Sequence, residues 1–358
     1  MQPATSAKAM MLVEPRQFSL TEIPTQGIED GGWLAVEATS LSGADVQVWK
    51  GEARNIVYPL VPGQEVVGRV AVQGPNVPYS VGTRVVVEPR IRCGRCRRCQ
   101  QNLATCVSRQ PTNSYGMISS IEPPGLWGGL AELLYLDPNA HLHPVTDDVP
   151  AEVATFVHAL ASGHTWAVEL PALQPGEDLL ILGPGPRGLA CLIAAKAAGA
   201  GWVGITGLSH DRDRLELARQ LGADLAIDVD QTDVAGEIAG ALGRRPDVVV
   251  DVTSDDPEAV FTALDLARSG GRVILASTKG NRAFHFLSDV IVAKQLTMKG
   301  AMGASSVGYQ WATEQLETDP RIDDLVSHQF PLSEAPRALQ AAAGLLGREE
   351  LISVAVTF

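Results

Sequence analysis

The sequence predicts a protein of the α/β plus β class, with a β-rich first domain and a second domain built on a doubly wound parallel sheet. The chain has 358 residues, which is enough to bury two hydrophobic cores. Over about the first 155 residues, short apolar runs alternate with Gly, Pro and Asn turns, a pattern typical of β-strands. From about residue 175, apolar strands alternate with helical stretches, which indicates a parallel sheet covered on both faces.

The individual elements follow this pattern along the chain. The first domain contains the strand-like runs MMLVE, WLAVEATS, EVVGRVAV and RVVVEP. In the second domain we predict strands at 179–183, 202–206, 225–229, 247–252, 272–277 and 296–301. The helices between them are predicted at 188–199, 212–222, 234–243 and 257–270. A helix around WATEQLE and a final strand, ISVAVTF, follow, and this strand could rejoin the first domain.

The composition is that of a folded soluble protein, with 45% apolar and 19% charged residues, and it excludes long disorder, collagen and coiled coil. The 41 acidic residues exceed the 28 Lys and Arg, for a formal charge of −13. This argues against nucleic-acid and anionic-membrane partners, which require a basic face. The N-terminus lacks an apolar stretch long enough for a signal peptide, and the longest apolar tract carries Lys196 in its middle. We therefore expect a cytoplasmic protein without a membrane span.

A glycine-rich loop, GPGPRG at residues 183–188, follows a predicted strand and opens an Ala-rich helix. This is the context in which the G-x-G-x-x-G pattern binds a dinucleotide. The first glycine permits a tight turn, the second lets the backbone approach a pyrophosphate, and the third allows close helix–strand packing, while the helix N-terminus attracts the negative charge. The predicted cofactor-binding residues of this loop are Gly183, Gly185, Pro186, Arg187 and Gly188.

The ribose position lies about 20 residues further on, where an Asp or Glu would bind the 2′-hydroxyl of NAD. Gly207 stands at this position, with polar and basic residues such as His210 nearby. Because no carboxylate is present there to repel a 2′-phosphate, the sequence favours NADP. NAD is the alternative, through Asp211 or Asp213. The predicted cofactor contacts beyond the glycine loop are Gly207, Ser209, Arg212, Thr253 and Ser277.

Four of the five cysteines are crowded into a short segment: Cys93, Cys96, Cys99 and Cys106. In a cytosolic chain, such a cluster predicts a metal site rather than disulfides. Four thiolates suit a tetrahedral zinc that is closed to substrate and therefore structural. Three arginines between the cysteines help to offset the negative charge. The fifth cysteine, Cys191, lies in an apolar helix pattern and is interpreted as a buried core thiol.

Several motifs together resemble the medium-chain dehydrogenase/reductase superfamily, above all its zinc alcohol and polyol dehydrogenases. They are PLVPGQEVVGRV, GTRVVVEP, the cysteine lobe at about 90–108, GGLAEL and RLELARQLGA. The resemblance implies an NAD(P)-dependent oxidoreductase with a GroES-like β-barrel catalytic domain at 1–159 and 303–358. It also implies a Rossmann domain at 160–302, and a homodimer or homotetramer formed through the strand LTMKGA.

The catalytic positions of this family differ in the present chain. Where the resemblance places the three zinc ligands, the sequence has Ser42, Gln64 and His158, and Ala44 and Gln47 replace the proton-relay residues. A neutral hydroxyl and an amide are poor zinc ligands compared with thiolate, imidazole or carboxylate. We therefore expect one structural zinc and no catalytic zinc.

Hydride transfer without a metal suits a substrate that needs no Lewis acid. In the reduction of a conjugated double bond or carbonyl, negative charge develops on an oxygen that hydrogen-bond donors can stabilise. The candidate donors are Ser42, Gln64 and His158, and His158 could also supply the proton. Asp45 and Glu65 are assigned supporting roles near the cofactor and the former metal position.

Three alternatives stay open at this point. His158 could be a packed histidine near a domain junction rather than a functional group. A distorted site could still hold a metal through His158, Glu65 and Asp45, which would make the protein a zinc-dependent alcohol or sugar dehydrogenase with altered ligands. The protein could also bind the cofactor and perform a non-redox step. The sequence does not identify the small-molecule substrate.

Overall fold

The computed structural model describes residues 5–25, 30–101, 106, 113–254, 256–280, 283–347 and 351–358. The chain forms two compact units, one made of Met1–His158 with Thr313–Phe358 and the other of Ala159–Ala312. The α/β plus β class expected from the sequence is confirmed, because the first unit is β-rich and the second contains a parallel sheet between helices. Within the described residues, no helix combines the length and the apolar character needed to cross a bilayer.

The helices and strands have the following bounds. The strands are β1 (Ser6–Glu14), β2 (Gln17–Pro24), β3 (Gly32–Ser40), β4 (Glu65–Val72), β5 (Arg84–Val87), β6 (Leu133–Leu136), β7 (Leu142–Pro144), β8 (Asp178–Leu182), β9 (Trp202–Gly207), β10 (Leu225–Asp228), β11 (Val248–Asp251), β12 (Arg272–Leu275), β13 (Thr297–Gly300), β14 (His328–Pro331) and β15 (Val354–Thr357). The helices are α1 (Gly43–Lys50), α2 (Arg97–Gln100), α3 (Ala151–Ala154), α4 (Val157–His164), α5 (Pro186–Ala197), α6 (Arg212–Gln220), α7 (Val234–Leu242), α8 (Glu258–Leu266), α9 (Asp289–Lys294), α10 (Ser306–Thr318) and α11 (Ala335–Ala342).

The first unit is organised around strand β3. This strand pairs with β4, β6 and β15 in a sheet of order β14-β15-β3-β4-β5-β7, while β1 and β2 form a separate hairpin. Successive side chains of β3 point to opposite faces, so Trp33 and Leu34 enter two different apolar clusters. The last strand, β15, pairs antiparallel with β3, which is the return to the first domain that the sequence suggested.

The second unit has a six-stranded parallel sheet of order β10-β9-β8-β11-β12-β13. This is the Rossmann order, in which the strand sequence reverses between the first strand and the fourth. Strands β8, β9 and β11 are buried along their whole length, which explains their continuous apolar sequences. The outermost strand, β13, is exposed at each of its four residues.

Element boundaries differ from the sequence-based expectation at several places. The helix expected to reach residue 270 ends at Leu266, because Ala267 adopts an extended backbone conformation.

Helix α1 was not expected, although its sequence carries a start signal and a stop signal for a helix. Asp45 accepts a hydrogen bond from the amide of Ser42, which precedes the helix, and Gly51 ends the helix with a φ of 79°. A left-handed residue after the last turn is a common helix terminator that favours glycine.

Candidate functional site

Asp45 connects two segments of the first unit that carry predicted catalytic residues. Its Oδ2 accepts hydrogen bonds from the amide (2.9 Å) and the Oγ (2.8 Å) of Ser42, and its Oδ1 accepts one from the amide of Gly63 (3.1 Å). Gly63 immediately precedes Gln64. The buried carboxylate therefore holds the start of helix α1 next to the turn that leads into Gln64.

Burial raises the pKa of Asp45 to about 6. The negative charge of Glu65 contributes in the same direction, whereas the hydrogen bonds from Ser42 and Gly63 lower the pKa. These opposing effects leave Asp45 able to change its protonation state in the mildly acidic range, which is unusual for an aspartate.

Glu65 is tied into the sheet at the first residue of strand β4. Its carboxylate accepts a hydrogen bond from the Oγ of Ser40, and its backbone carbonyl accepts one from the Oγ1 of Thr39 at 3.1 Å. In the register of the two strands, Glu65 is paired with Ser40 at the end of β3. These contacts favour a supporting role for Glu65 near Asp45.

Gln64 has a buried amide with one end fixed and the other end available. The Oγ of Ser114 donates to Oε1 of Gln64 at 3.1 Å, and both side chains are buried. The Nε2 of Gln64 has no acceptor among the described residues. A buried donor without an acceptor is costly, so an oxygen atom of a ligand is a natural partner for it. Ser114 was not identified from the sequence, because it lies fifty positions away in a segment without a motif.

His158 lies in helix α4 and is almost completely buried, with 1% of its surface exposed. This burial is compatible with both interpretations of His158 from the sequence, as a functional group and as a packed residue, so both stay predictions. The proposed metal site of His158, Glu65 and Asp45 is not supported. In the described part of the chain, the cysteine cluster is the only group of three or more His, Cys, Asp or Glu residues whose ligand atoms converge.

Ser42 and Gln64, two of the three residues that the resemblance places at a catalytic metal, do not suit a metal ion. The hydroxyl of Ser42 donates to Asp45, and the Oε1 of Gln64 accepts from Ser114. Neither side chain offers a charged or readily deprotonated ligand, which zinc requires.

The four predicted zinc ligands come together in the first unit. The Sγ atoms of Cys93, Cys96, Cys99 and Cys106 all lie within 4.8 Å of one another. The Sγ of Cys99 is 3.5 Å from that of Cys96 and 3.9 Å from that of Cys93. A tetrahedral ion with Zn–S bonds of about 2.3 Å would separate its sulfur atoms by about 3.8 Å, so the donor set fits zinc.

The electrostatics of this cluster also favour a cation. Burial, reinforced by the neighbouring Cys96 thiol, raises the pKa of Cys99 to about 12. Four thiols this close cannot all ionise without a positive charge between them, and metal binding is the usual way in which they lose their protons. The remaining cysteine, Cys191, is fully buried as expected, and burial raises the pKa of its thiol to about 12.

The glycine loop of the second unit has the shape that a pyrophosphate requires. Gly183 adopts a φ of 105°, and a Cβ on Gly188 would lie 1.9 Å from the carbonyl oxygen of Gly183. Gly185, which precedes helix α5, has open space where a Cβ would be, and Pro186 occupies the first helical turn. These features leave a cradle at the helix N-terminus that suits a dinucleotide phosphate.

Arg187 uses its side chain within the second unit. Its Nη1 donates to the Oγ of Ser162, and its guanidinium carbon lies 5.4 Å from the ring centroid of Trp166. Ser162 and Trp166 were not assigned from the sequence. Because the Arg187 side chain makes these contacts, the loop backbone and the helix N-terminus are the groups at this position that suit a phosphate.

The ribose position is shaped by packing around Gly207. A Cβ on Gly207 would lie 2.7 Å from the Cγ of Pro184, so a carboxylate side chain does not fit there. Asp211, the alternative acceptor, is buried, and its carboxylate accepts hydrogen bonds from the amide of Leu208 and the Nη1 of Arg214 at 3.2 Å each. The Asp211 carboxylate is thus already hydrogen-bonded to residues of the turn in which it lies.

Ser209 has acidic neighbours that were not foreseen from the sequence. Its Oγ donates to Oδ2 of Asp228 and its amide donates to Oδ2 of Asp230, both at 2.8 Å. Both aspartates belong to the segment at the end of strand β10, which is paired with β9. Arg212 is exposed at the start of helix α6. The ribose region therefore contains charges of both signs.

Thr253 and Ser277 follow the carboxyl ends of β11 and β12. A Cβ on Gly183 would lie 3.2 Å from the Cγ2 of Thr253, so Thr253 packs against the glycine loop, and Ser277 is half-buried. Asp251 and Lys279 form a buried ion pair beside Thr253, with Oδ2 and Nζ 2.8 Å apart. Sequence analysis missed this pair, because the two residues are adjacent only in the folded sheet.

Comparison with known proteins gives matches over most of the chain. Residues 186–318 match the family described as Zinc-binding dehydrogenase, and residues 31–147 match the Alcohol dehydrogenase GroES-like domain. A probable alcohol dehydrogenase of Mycobacterium tuberculosis is 38% identical, and the match covers 97% of this chain and 93% of that protein.

Solved structures match over almost the whole chain as well. An alcohol dehydrogenase from Thermotoga maritima has a TM-score of 0.86 at 25% identity and covers 99% of this chain and 100% of its own. A putative zinc-binding dehydrogenase from Sinorhizobium meliloti, solved bound to NADP, has a TM-score of 0.84 at 25% identity with the same coverage. These similarities agree with the GroES-like and Rossmann units seen in the fold.

Proposed function

Since this chain belongs to the medium-chain dehydrogenase/reductase superfamily and is an NAD(P)-dependent oxidoreductase, we propose that it reduces a small molecule without a catalytic zinc. The proposed substrates carry a conjugated double bond or a carbonyl group. The observation that carries the proposal is the buried Nε2 of Gln64, which has no acceptor among the described residues. It is a hydrogen-bond donor at a position where the family holds its metal.

The chain's own residues would stabilise the charge that develops during the reduction. A bound NAD(P)H supplies the hydride. The substrate oxygen gains negative charge as the double bond or carbonyl is reduced, and Nε2 of Gln64 can donate a hydrogen bond to it. Ser114 fixes the amide by donating to Oε1, so the donor is oriented before the substrate arrives. A well-placed donor of this kind contributes about 2.7–4 kcal/mol to transition-state stabilisation.

Ser42 and His158 complete the proposed set of catalytic groups. The hydroxyl of Ser42 donates to Asp45 in the structure, so it is released to donate to a substrate when Asp45 is protonated. His158 is the proposed source of the proton that completes the reduction, because a ring N–H of histidine can act as a general acid. Asp45 and Glu65 support these groups from within the first unit.

We propose NADP(H) as the preferred cofactor. Gly207 leaves no space for a carboxylate, Asp211 is engaged by its own turn, and Arg212 is exposed nearby. NAD(H) is the second candidate, favoured by the carboxylates of Asp228 and Asp230 that contact Ser209. Titration with NADPH and NADH tests this, and Arg212→Ala should weaken only NADPH binding. Tighter binding of NADH by the wild-type protein would select the second candidate.

We also propose one structural zinc in the cysteine cluster and a homodimer or homotetramer. The exposed strand β13 supports self-association, since an unpaired edge strand can pair with its copy. Met298 on this strand is 39% exposed.

The net charge of −13 supports a chain without nucleic-acid or membrane partners, and the proposed cytoplasmic location rests on the sequence alone.

The deciding experiment combines metal analysis with cofactor turnover. Enones, quinones, aldehydes and ketones are offered with NADPH or NADH, and alcohol oxidation is measured in parallel. One zinc per chain with consumption of reduced cofactor by an enone or carbonyl supports the proposal. Two zinc ions per chain with alcohol oxidation would favour a zinc dehydrogenase. Tight cofactor binding without any turnover would favour a non-redox role.

A further inference from the structure

A buried ion pair lies at the carboxyl end of the parallel sheet in the second unit. Asp251 is the last residue of β11 and has no exposed surface. Its Oδ2 lies 2.8 Å from Nζ of Lys279, whose side chain is 9% exposed. In the sheet register, Asp251 is level with Leu182 on β8 and Leu275 on β12. The pair therefore stands next to the point where the strand order reverses.

Thr253 joins this pair into a closed set of contacts. Its amide (3.0 Å) and its Oγ1 (2.6 Å) donate to Oδ1 of Asp251. Lys279 Nζ donates to the carbonyl oxygen of Thr253 and, at 2.9 Å, to its Oγ1. The ammonium group thus donates to two oxygen atoms of Thr253 and forms its ion pair with Oδ2 of Asp251. We name Asp251, Thr253 and Lys279 the strand-end brace.

The strand-end brace contacts the glycine loop directly. A Cβ built on Gly183 would lie 3.2 Å from the Cγ2 of Thr253 and 3.3 Å from the Cγ2 of Val252. Lys279 belongs to the segment after β12, two residues beyond Ser277. The brace therefore sets the separation between the glycine loop and the segment that carries Ser277.

We propose that the strand-end brace positions the nicotinamide half of the bound dinucleotide, an inference that rests on the proposed function. In a Rossmann sheet the two halves of the cofactor lie over the two halves of the sheet. The adenosine ribose is read after β9, so the segments after β11 and β12 remain for the nicotinamide half. Because the ammonium contacts are made within the brace, Lys279 is a positioning residue that acts through Thr253 and Asp251.

The buried ion pair is not explained by stability alone. Replacing a buried ion pair with apolar residues of similar volume is often neutral or stabilising, whereas removal of one partner leaves a buried charge. The pair instead fixes the geometry of the cofactor site. Hydrogen bonds to both charged groups hold the segments after β11 and β12 in one arrangement.

The test compares a complete cofactor with a fragment that lacks nicotinamide. Binding of NADPH and NADH, and of ADP-ribose and its 2′-phosphate, is measured by calorimetry for the wild type, Lys279→Met and Thr253→Val. We expect roughly tenfold weaker binding of the complete cofactor in both variants, with the fragment affinity changed less than twofold. Lys279→Arg, which keeps the charge, should restore part of the loss.

Arg272→Met is the matched control. Arg272 begins β12 at the opposite end of the strand, where its Nη2 lies 2.5 Å from Oε1 of Glu177. This variant should lower the melting temperature without changing the ratio of the two affinities. If Lys279→Met does not fold, Thr253→Val decides the question, because it preserves the side-chain shape and leaves both charges in place.

Two results would overturn the inference. Equal weakening of the complete cofactor and the fragment would make the brace a general stabiliser of the unit. Unchanged affinity for the complete cofactor in both variants would remove any role in positioning. A wild-type protein that binds neither ligand would instead overturn the cofactor assignment itself, so the two failures are distinguishable.

Discussion

The Oγ of Ser42 donates a hydrogen bond to Oδ2 of Asp45 at 2.8 Å, and the amide of Ser42 donates to the same oxygen at 2.9 Å. The ionised carboxylate therefore decides where the hydroxyl proton of Ser42 points. When Asp45 accepts a proton, the hydroxyl is free to turn toward another acceptor. The direction of the Ser42 hydroxyl therefore depends on pH through the protonation state of Asp45.

The buried carboxylate of Asp45 should make the stability of the protein depend on pH. Its pKa is about 6 in the folded protein, against an ordinary value of 3.8. Because folding raises this pKa, the contribution of Asp45 to the free energy of unfolding is fully present below pH 3.8. It is lost as the pH rises through about 6. Between pH 4 and 7, we expect the free energy of unfolding to fall by about 2 kcal/mol more in the wild type than in Asp45→Asn.

Chemical unfolding at a series of pH values measures this difference. Asp324→Asn, at an exposed position of the same unit, is the control and should follow the wild-type curve. Parallel curves for the wild type and Asp45→Asn would show that Asp45 does not carry the raised pKa.

Gln64 should determine the rate of the chemical step rather than cofactor binding. Gln64→Leu removes the buried donor and keeps the apolar bulk, so kcat should fall by roughly 100-fold. Ser114→Ala leaves the amide in place but no longer fixes its orientation, so the loss should be smaller, about tenfold. Steady-state kinetics and calorimetric cofactor titration separate the two quantities. A full rate in Gln64→Leu would require another group to stabilise the substrate oxygen.

The cysteine cluster should contain one zinc per chain, and its removal should destabilise the first unit. Cys99→Ser removes a buried ligand, and we expect the zinc content to fall and the melting temperature to drop by roughly 10 °C. Elemental analysis and thermal unfolding measure the two effects. Cys191→Ala, which removes the buried thiol outside the cluster, should retain the zinc. Zinc-free wild-type protein with unchanged stability would contradict the assignment.

The edge strand β13 should mediate self-association. Met298→Glu places a charge on the exposed face of the strand, so the protein should shift toward the monomer, because edge charges oppose strand pairing. Analytical ultracentrifugation measures the oligomeric state. Val81→Glu, at a position with 61% exposure in the other unit, is the control and should remain oligomeric. Dissociation by both variants, or by neither, would rule out this strand as the specific interface.

Local sequence signals identified the parts of the protein whose chemistry depends on near neighbours. The alternation of strands and helices fixed the parallel sheet, because each β-strand and helix is encoded by its own periodicity. The spacing of the cysteines and the glycine loop pointed to sites built within a single segment, and both segments adopt the corresponding geometry. Helix α1 was missed although its signals are equally local, because the segment was interpreted only through its catalytic positions.

The polar contacts of the candidate site were determined only by the tertiary structure. Ser114 fixes the amide of Gln64, and Lys279 meets Asp251, although each pair is separated widely in the sequence. No periodicity encodes such contacts, because they depend on which strand ends the fold brings together. The sequence therefore determined the fold, the glycine loop and the cysteine cluster, whereas burial and long-range hydrogen bonding decided which polar groups are committed and which remain free for a ligand.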